Sequence, residues 1–305
     1  MTAKACLAIF VIIAVAGLGS GLAAAADPPA LDLTLGVSTD DTAPIQTSAH
    51  LSGSLTDLVG YRIGGWLTTG SGDSHGFLGD AYLDFKGPGI YAAGGQKFVV
   101  FGPAGGVLVS PGIRGGELKV DLSRVRLQVI SGRTEFTPVT GGGPRISPGF
   151  PLGTVRPEED MTAARVEFTL TPLTALLPLR VGVNFLDTLD EEGFSGDAEL
   201  PLLPKVTAFG EYARFDSVGA WAAGVRFNDL RKVFGTSRAT SAMLLVRDIP
   251  DGYAPAAVGA TQYFPNQDGL AGGIYHELRP AGMGIGIWGD DEDAIITLFK
   301  HVPLG

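Results

Sequence analysis

FLGDAYLDFK, residues 77–86, alternates apolar and polar side chains along most of its length. Phe77, Ala81, Leu83 and Phe85 fall to one side, and Asp80, Tyr82, Asp84 and Lys86 to the other. A period of two is what an extended strand needs to present two different faces, and a helix cannot satisfy it. The same alternation recurs downstream in ELKVDL (117–122), VRLQV (125–129), ARVEFTL (164–170) and LRVGVNF (179–185). Weaker versions appear in GAWAAGVRF, SAMLLVRD, AAVGATQYF, AGGIYHEL and AIITLFKH. We count about sixteen such segments, and no stretch beyond the N-terminal apolar run keeps a helical period with caps at both ends. The chain therefore reads as all-β.

The connections alternate in length. Gly87-Pro88-Gly89 and Ser123-Arg124 make tight turns, and a Pro-bounded TPLTALLP links ARVEFTL to LRVGVNF. Longer polar or Gly/Pro-rich segments, 69–76, 102–115, 134–161 and 187–196, separate these hairpins. ALLPLRVGVNF and PLLPKVTAFGEY share Leu-Leu-Pro before a strand, as equivalent turns would. Tight turns at one end and long loops at the other are the layout of an up-and-down transmembrane barrel. Sixteen segments leave about 17 residues for each strand and its connection, and a strand of ~9–11 residues tilted by ~45° spans a bilayer. A secreted β-sandwich is the competing arrangement. It would normally show strands apolar on both faces, or helices covering the sheet, and neither is evident.

Composition supports the exported, membrane-facing alternative. MTAKACLAIFVIIAVAGLGSGLAAAADPPA opens with Lys4, continues with an apolar run and ends in small residues. That is the layout of a signal peptide over 1–26, with Ala24-Ala25-Ala26 before the cut, followed by a single barrel domain over 27–305. Its removal takes away Lys4 and no acid, so the formal charge moves from −10 to −11, and Cys6, the one cysteine, leaves with it. The mature chain has no disulfide and no thiol chemistry. An acidic exported chain is a poor partner for nucleic acid. The 45 glycines are about twice the ~7 % norm, without a collagen period.

In lipid the pattern turns inside out, with apolar residues facing hydrocarbon and charged or small ones facing the lumen, and closure satisfies every strand edge. Gly182, Gly224 and Gly273 read as small lumenal residues. AYLDFKGPGIYAAGGQKFVVFGPAGG followed by GIRGGELKVDLSRVRLQVISGR resembles bacterial outer-membrane barrels of the porin-like and alginate-export-like kind. The matching positions are Gly94-Gly95-Gln96, Phe101-Gly102 and Arg114-Gly115, within residues 77–133. The resemblance implies a barrel of about 14–16 strands whose partners are outer-membrane lipid and small hydrophilic solutes. Such barrels commonly close on an aromatic residue near the terminus, whereas this chain has Phe299 within TLFKHVPLG.

If function resides in the lumen, its charged wall sets selectivity. The pore-lining candidates are Asp80, Asp84, Glu117, Lys119, Asp121, Arg126, Arg165, Glu167 and Arg180. A wall brace of salt bridges competes with a selectivity role for these charges. Residues 134–161 form the best candidate for a loop folded into or over the pore, with a disordered segment as the alternative. Acidic runs at 158–160, 190–192 and 290–293 lack EF-hand spacing, and His50, His75, His276 and His301 lack zinc-ligand spacing, so no metal or cofactor is expected. Gly72-Asp73-Ser74-His75-Gly76 matches the Gly-x-Ser-x-Gly letters of serine hydrolases, but an alternating strand follows where a nucleophile elbow needs a helix. Ser74 reads as part of a polar external loop, and no enzymatic activity is expected. The sequence predicts an outer-membrane channel for passive diffusion of small hydrophilic solutes, with a homo-oligomer left open. The alternatives are a structural or adhesive barrel without transport and a secreted glycan-binding sandwich.

Overall fold

The alternating segments of the sequence, except AAVGATQYF (256–264), which lies outside the described residues, become strands in the computed structural model, sixteen in all among the described residues. They are β1 (Ala30–Ser38), β2 (Ile45–Ser54), β3 (Val59–Thr69), β4 (Ser74–Gly87), β5 (Ile90–Phe98), β6 (Gly112–Leu122), β7 (Val125–Glu135) and β8 (Asp160–Leu170) in the first half. The second half supplies β9 (Leu179–Thr188), β10 (Glu192–Leu203), β11 (Val206–Phe215), β12 (Val218–Phe227), β13 (Thr240–Ile249), β14 (Gln267–Leu278), β15 (Met283–Gly289) and β16 (Ala294–Pro303). The structure describes residues 29–38, 45–69, 74–103, 106–109, 112–135, 159–170, 178–189, 191–228, 230, 240–250, 252–253, 267–278, 283–289 and 294–303. The segment expected as a leader, 1–26, and most of the candidate pore loop, 136–158, lie outside them.

Each strand pairs antiparallel with its chain neighbours, and β16 returns to β1, so the sheet closes into a barrel. Phe299 sits within this closing pair, opposite Thr34. Closure leaves no unpaired edge, the condition a bilayer imposes on any sheet that crosses it. The turns at 88–89, 123–124 and 204–205 lie at the end where β1 begins and β16 finishes. Pro178 and Pro204 precede β9 and β11 at this same end, as their shared Leu-Leu-Pro setting predicts. β5, β7 and β13 finish, and β6, β8 and β14 begin, at the opposite end.

Burial separates the two faces of the wall. Leu83, Leu118, Phe168, Val183, Leu244 and Leu298 stay uncovered by protein, with Leu83 54 % and Val183 55 % exposed. The alternate positions, among them Asp80, Glu117, Gln128, Arg165, Asn184 and Asp197, are buried. At these positions the pattern inverts a soluble core, with apolar side chains on the outer face of the wall and polar ones on the inner face.

The alternation in FLGDAYLDFK is broken at one place. The β3–β4 register shifts between Gly64 and Gly65, so that Asp80 pairs with Gly64 while Leu78 pairs with Gly65. Gly79 is the extra residue of a bulge, which changes the facing parity across it. Phe77 thus pairs with Trp66 and falls out of phase with Ala81, Leu83 and Phe85, which the sequence groups with it. Ser74 also differs from expectation: it opens β4 opposite Thr69 and is not a loop residue, and the strand continues through His75 and Gly76.

Candidate functional site

All nine pore-lining candidates lie on the inner parity of their strands, opposite the exposed apolar residues. They divide into distinct environments. On β1 to β4, Arg62 Nε donates to Asp80 Oδ2 at 2.9 Å, His50 Nδ1 lies 3.2 Å from the same oxygen, and Arg62 also lies 3.9 Å from Asp32. Lys86 Nζ holds Asp84 at 2.8 Å.

The next cluster centres on Glu117. Its buried carboxylate accepts from Lys97 and from Gln128 Nε2 (2.6 Å), and Lys119 Nζ lies 3.0 Å away. The Lys97 ammonium is 5.0 Å from the ring centroids of both Tyr82 and Tyr91, within cation–π range. It also donates to the Tyr91 hydroxyl oxygen at 3.0 Å.

Beyond it, Arg126 donates to Asp121 and lies 3.8 Å from Glu167. Arg165 is only 6 % exposed and is bonded to side chains on β8, β9 and β10. It donates to Glu167 at 2.9 Å, to Asn184 Oδ1 at 2.8 Å and to both oxygens of Asp197. Asn184 Nδ2 in turn donates to Ser195 Oγ (2.7 Å) and Asp197 (2.9 Å). A buried charge persists only when paired and hydrogen-bonded, and this fork meets that demand. Gly182 makes it possible, since a Cβ there would lie 2.5 Å from the Arg165 guanidinium nitrogens. Arg180 pairs with Glu199 at 3.4 Å.

The polar chain ends on a residue that the sequence reading did not nominate. Ser195 donates to Glu211 Oε1 at 2.9 Å, and the same carboxylate accepts from the backbone N–H of Val107 (3.1 Å) and Leu108 (3.3 Å). Glu211 thereby anchors the β5–β6 connection inside the barrel. Gly102 passes directly in front of it with φ of 83°, where a Cβ would meet Glu211 Oε2 at 2.8 Å. Only glycine combines that backbone with that approach. Arg226 donates to the Pro103 carbonyl, and the Tyr253 hydroxyl donates to the Val107 carbonyl at 3.0 Å.

Phe101, Val107, Leu108, Val109 and Tyr253 are fully buried against the inner faces of β6 to β14. Small wall residues, Ala163, Ala213, Ala220, Ala222 and Ala271, make room for them. The interior therefore has two sectors: an apolar packed one around the inward segment, and a charged one along β1 to β10. The sequence placed the inward loop at 134–161, and the described part of that segment contributes only the ends of β7 and β8. Among the described residues, no group of three or more His, Cys, Asp or Glu side chains converges as a metal site would. The acidic run at 290–293 lies outside the described residues.

The chain matches no protein-family model and no curated protein sequence. Solved structures do match in fold. Wzi, an outer-membrane protein involved in group 1 capsule assembly in Escherichia coli and described as a carbohydrate-binding β-barrel, aligns with TM-score 0.54 and 11 % identity over 90 % of this chain and 84 % of that one. A mutant of Rh. blastica porin aligns with TM-score 0.52 and 13 % identity over 90 % and 99 %. Pseudomonas aeruginosa OccK2, solved with glucuronate, aligns with TM-score 0.50 and 11 % identity over 91 % and 96 %. At these identities the likeness is one of fold, and the fold is that of porin-like outer-membrane β-barrels.

Proposed function

We propose that this porin-like barrel is an outer-membrane channel that passes small hydrophilic solutes by passive diffusion. The observation that carries the reading is a set of inward-facing charges left open to solvent inside a closed wall, Lys119, Asp121, Arg126 and Arg180. Charges are kept on an inner wall at the expense of packing when water and polar solutes occupy the space. The outer wall of exposed leucine, valine and phenylalanine is the surface offered to lipid. Export by a leader over 1–26 and a single barrel over 27–305 complete the assignment. We assign no catalysis, since Ser74 opens a strand and has no elbow.

Within this reading the buried candidates are wall braces and the exposed ones meet the solute. Arg165, Glu117 and Asp84 are enclosed by their partners. Arg126, 47 % exposed, is the strongest candidate for selectivity.

The apolar cluster around Phe101, Leu108 and Tyr253 favours a second reading, a structural barrel whose lumen is filled. Purified protein in planar bilayers separates the two. Stepwise conductance supports the channel, and a barrel shown to be folded by heat-modifiable migration but passing no current supports the structural role. A monomer soluble without detergent would overturn both.

A further inference from the structure

We propose that Tyr91 and Lys119 form a binding site for a small oxyanion, a carboxylate or phosphate group, on the inner wall at the tight-turn end of the barrel. The site rests on the channel reading for its place on the solute's path. Both residues face inward close to that end, Tyr91 one residue into β5 and Lys119 three residues before the end of β6, and they pair directly across the two strands.

Charge favours an anion here. Two ammonium groups, Lys97 and Lys119, converge on one carboxylate, Glu117, whose other partner is the neutral amide of Gln128. That leaves an excess of one positive charge. The carboxylates on the flanking positions do not cancel it, because Asp84 on β4 is held by Lys86 and Asp121 on β6 by Arg126. Further along the wall, Arg62 is shared between Asp80 and Asp32, so the positive excess is confined to the Lys119 neighbourhood.

Donor geometry points the same way. Lys97 donates to the Tyr91 hydroxyl oxygen, so the phenolic proton is directed away from Lys97 and is available to an acceptor in the lumen. Lys97 is buried and committed to Glu117 and the two tyrosines. Lys119, in contrast, is 37 % exposed and uses one of its three donors on Glu117, which leaves two for a ligand. Its Nζ stands 5.2 Å from the Tyr91 ring centroid, so the phenol and the ammonium border the same space. A buried Glu117–Lys97 pair beneath fixes both groups before any ligand arrives, the preorganisation a site for a charged group requires.

Binding is tested on the detergent-solubilised full barrel with sodium benzoate and inorganic phosphate as probes, and with benzamide as the neutral counterpart of benzoate. The expected result is binding of at least one anion, with benzamide weaker than benzoate. Lys119→Gln and Tyr91→Phe should each weaken binding about tenfold, as loss of a charge-assisted hydrogen bond does, while Lys119→Arg retains it. Tyr91→Phe keeps the ring under Lys97, and heat-modifiable migration confirms that each variant folds. Preference for phosphate or for benzoate identifies the group the site takes. Wild-type affinity in both Lys119→Gln and Tyr91→Phe, or no binding of either anion by the wild type, overturns the proposal. Because no current is needed for this measurement, a barrel that binds through Lys119 yet does not conduct sinks the channel reading alone. One that conducts and binds neither anion sinks the site alone.

Discussion

The Glu211 carboxylate accepts the backbone N–H of Val107, which lies 104 residues earlier in the chain. This single contact ties the β5–β6 connection to the wall of β11. The backbone of a segment folded into a barrel has no strand partner, and its buried N–H groups must find acceptors elsewhere. Glu211 satisfies two of them, Val107 and Leu108, and Tyr253 takes up the carbonyl of Val107.

Replacing Glu211 by Ala should therefore release the segment. Two buried N–H groups would lose their acceptor, at about 1–3 kcal/mol each, and the Ser195 hydroxyl would lose its own. The expected outcome is a barrel that still folds, unfolds at lower urea concentration in lipid vesicles, and shows larger or noisier single-channel conductance than the wild type. Unchanged stability and conductance would mean that the apolar packing of Phe101 and Leu108 holds the segment alone.

Gly182 and Gly196 make a matched pair of substitutions. At Gly182 an added Cβ would sit 2.5 Å from the Arg165 guanidinium, whereas at Gly196, on the outer parity of β10, nothing lies within 4 Å. Gly182→Ala should displace Arg165 from Asp197 and Asn184 and destabilise by roughly 1–3 kcal/mol. Gly196→Ala should be neutral or slightly stabilising, because a strand interior gains from losing glycine's backbone freedom. Equilibrium unfolding of the two variants in the same vesicles reads the difference.

Arg126 and Arg165 were equivalent candidates by their alternating position, and the structure separates them. Arg126→Glu places a reversed charge on an exposed site beside Asp121 and Glu167, so the barrel should fold and shift its selectivity toward cations. Arg165→Glu would face Glu167 and Asp197 in a buried site, where the repulsion has no water to screen it. It should fail to accumulate as folded barrel. Reversal potentials in a salt gradient check the first, and heat-modifiable migration the second. Unchanged selectivity in Arg126→Glu would remove Arg126 from the solute path.

How far the sequence was legible follows from what each feature depends on. The facing of Glu117, Leu118 and Lys119 could be read because a period of two is a local property of the strand. Phe77 could not, since its parity depends on the bulge at Gly79, which becomes visible only in the register against β3. Residues 134–161 stand out by length as a loop folding into or over the pore, and 136–158 lie outside the described residues; the segment described inside the barrel is the shorter one carrying Val107-Leu108-Val109. That apolar triplet within a Gly/Pro-rich connection was the available signal, because a solvent-facing loop has no use for three consecutive apolar residues. Glu211 gave less warning. In AFGEY it is one more polar residue on an alternating strand, and its role arises from a partner 104 positions away.

The membrane assignment itself can be tested at two leucines. Leu244 lies midway along β13 on the outer wall and is 49 % exposed, and Leu203 lies at the tight-turn end of β10, also exposed. In a bilayer the cost of an outward arginine depends on depth, about 2–4 kcal/mol at the midplane and about 0–1 kcal/mol near the interface. In a soluble barrel or sandwich both sites face water, and either substitution would change stability by no more than about 0.5 kcal/mol. Leu244→Arg should thus impair folding into vesicles strongly while Leu203→Arg does so weakly. The contrast between the two carries the test, because a local packing fault at either residue would not follow the depth of the position. Equal, small effects at both would show that the apolar wall does not face lipid.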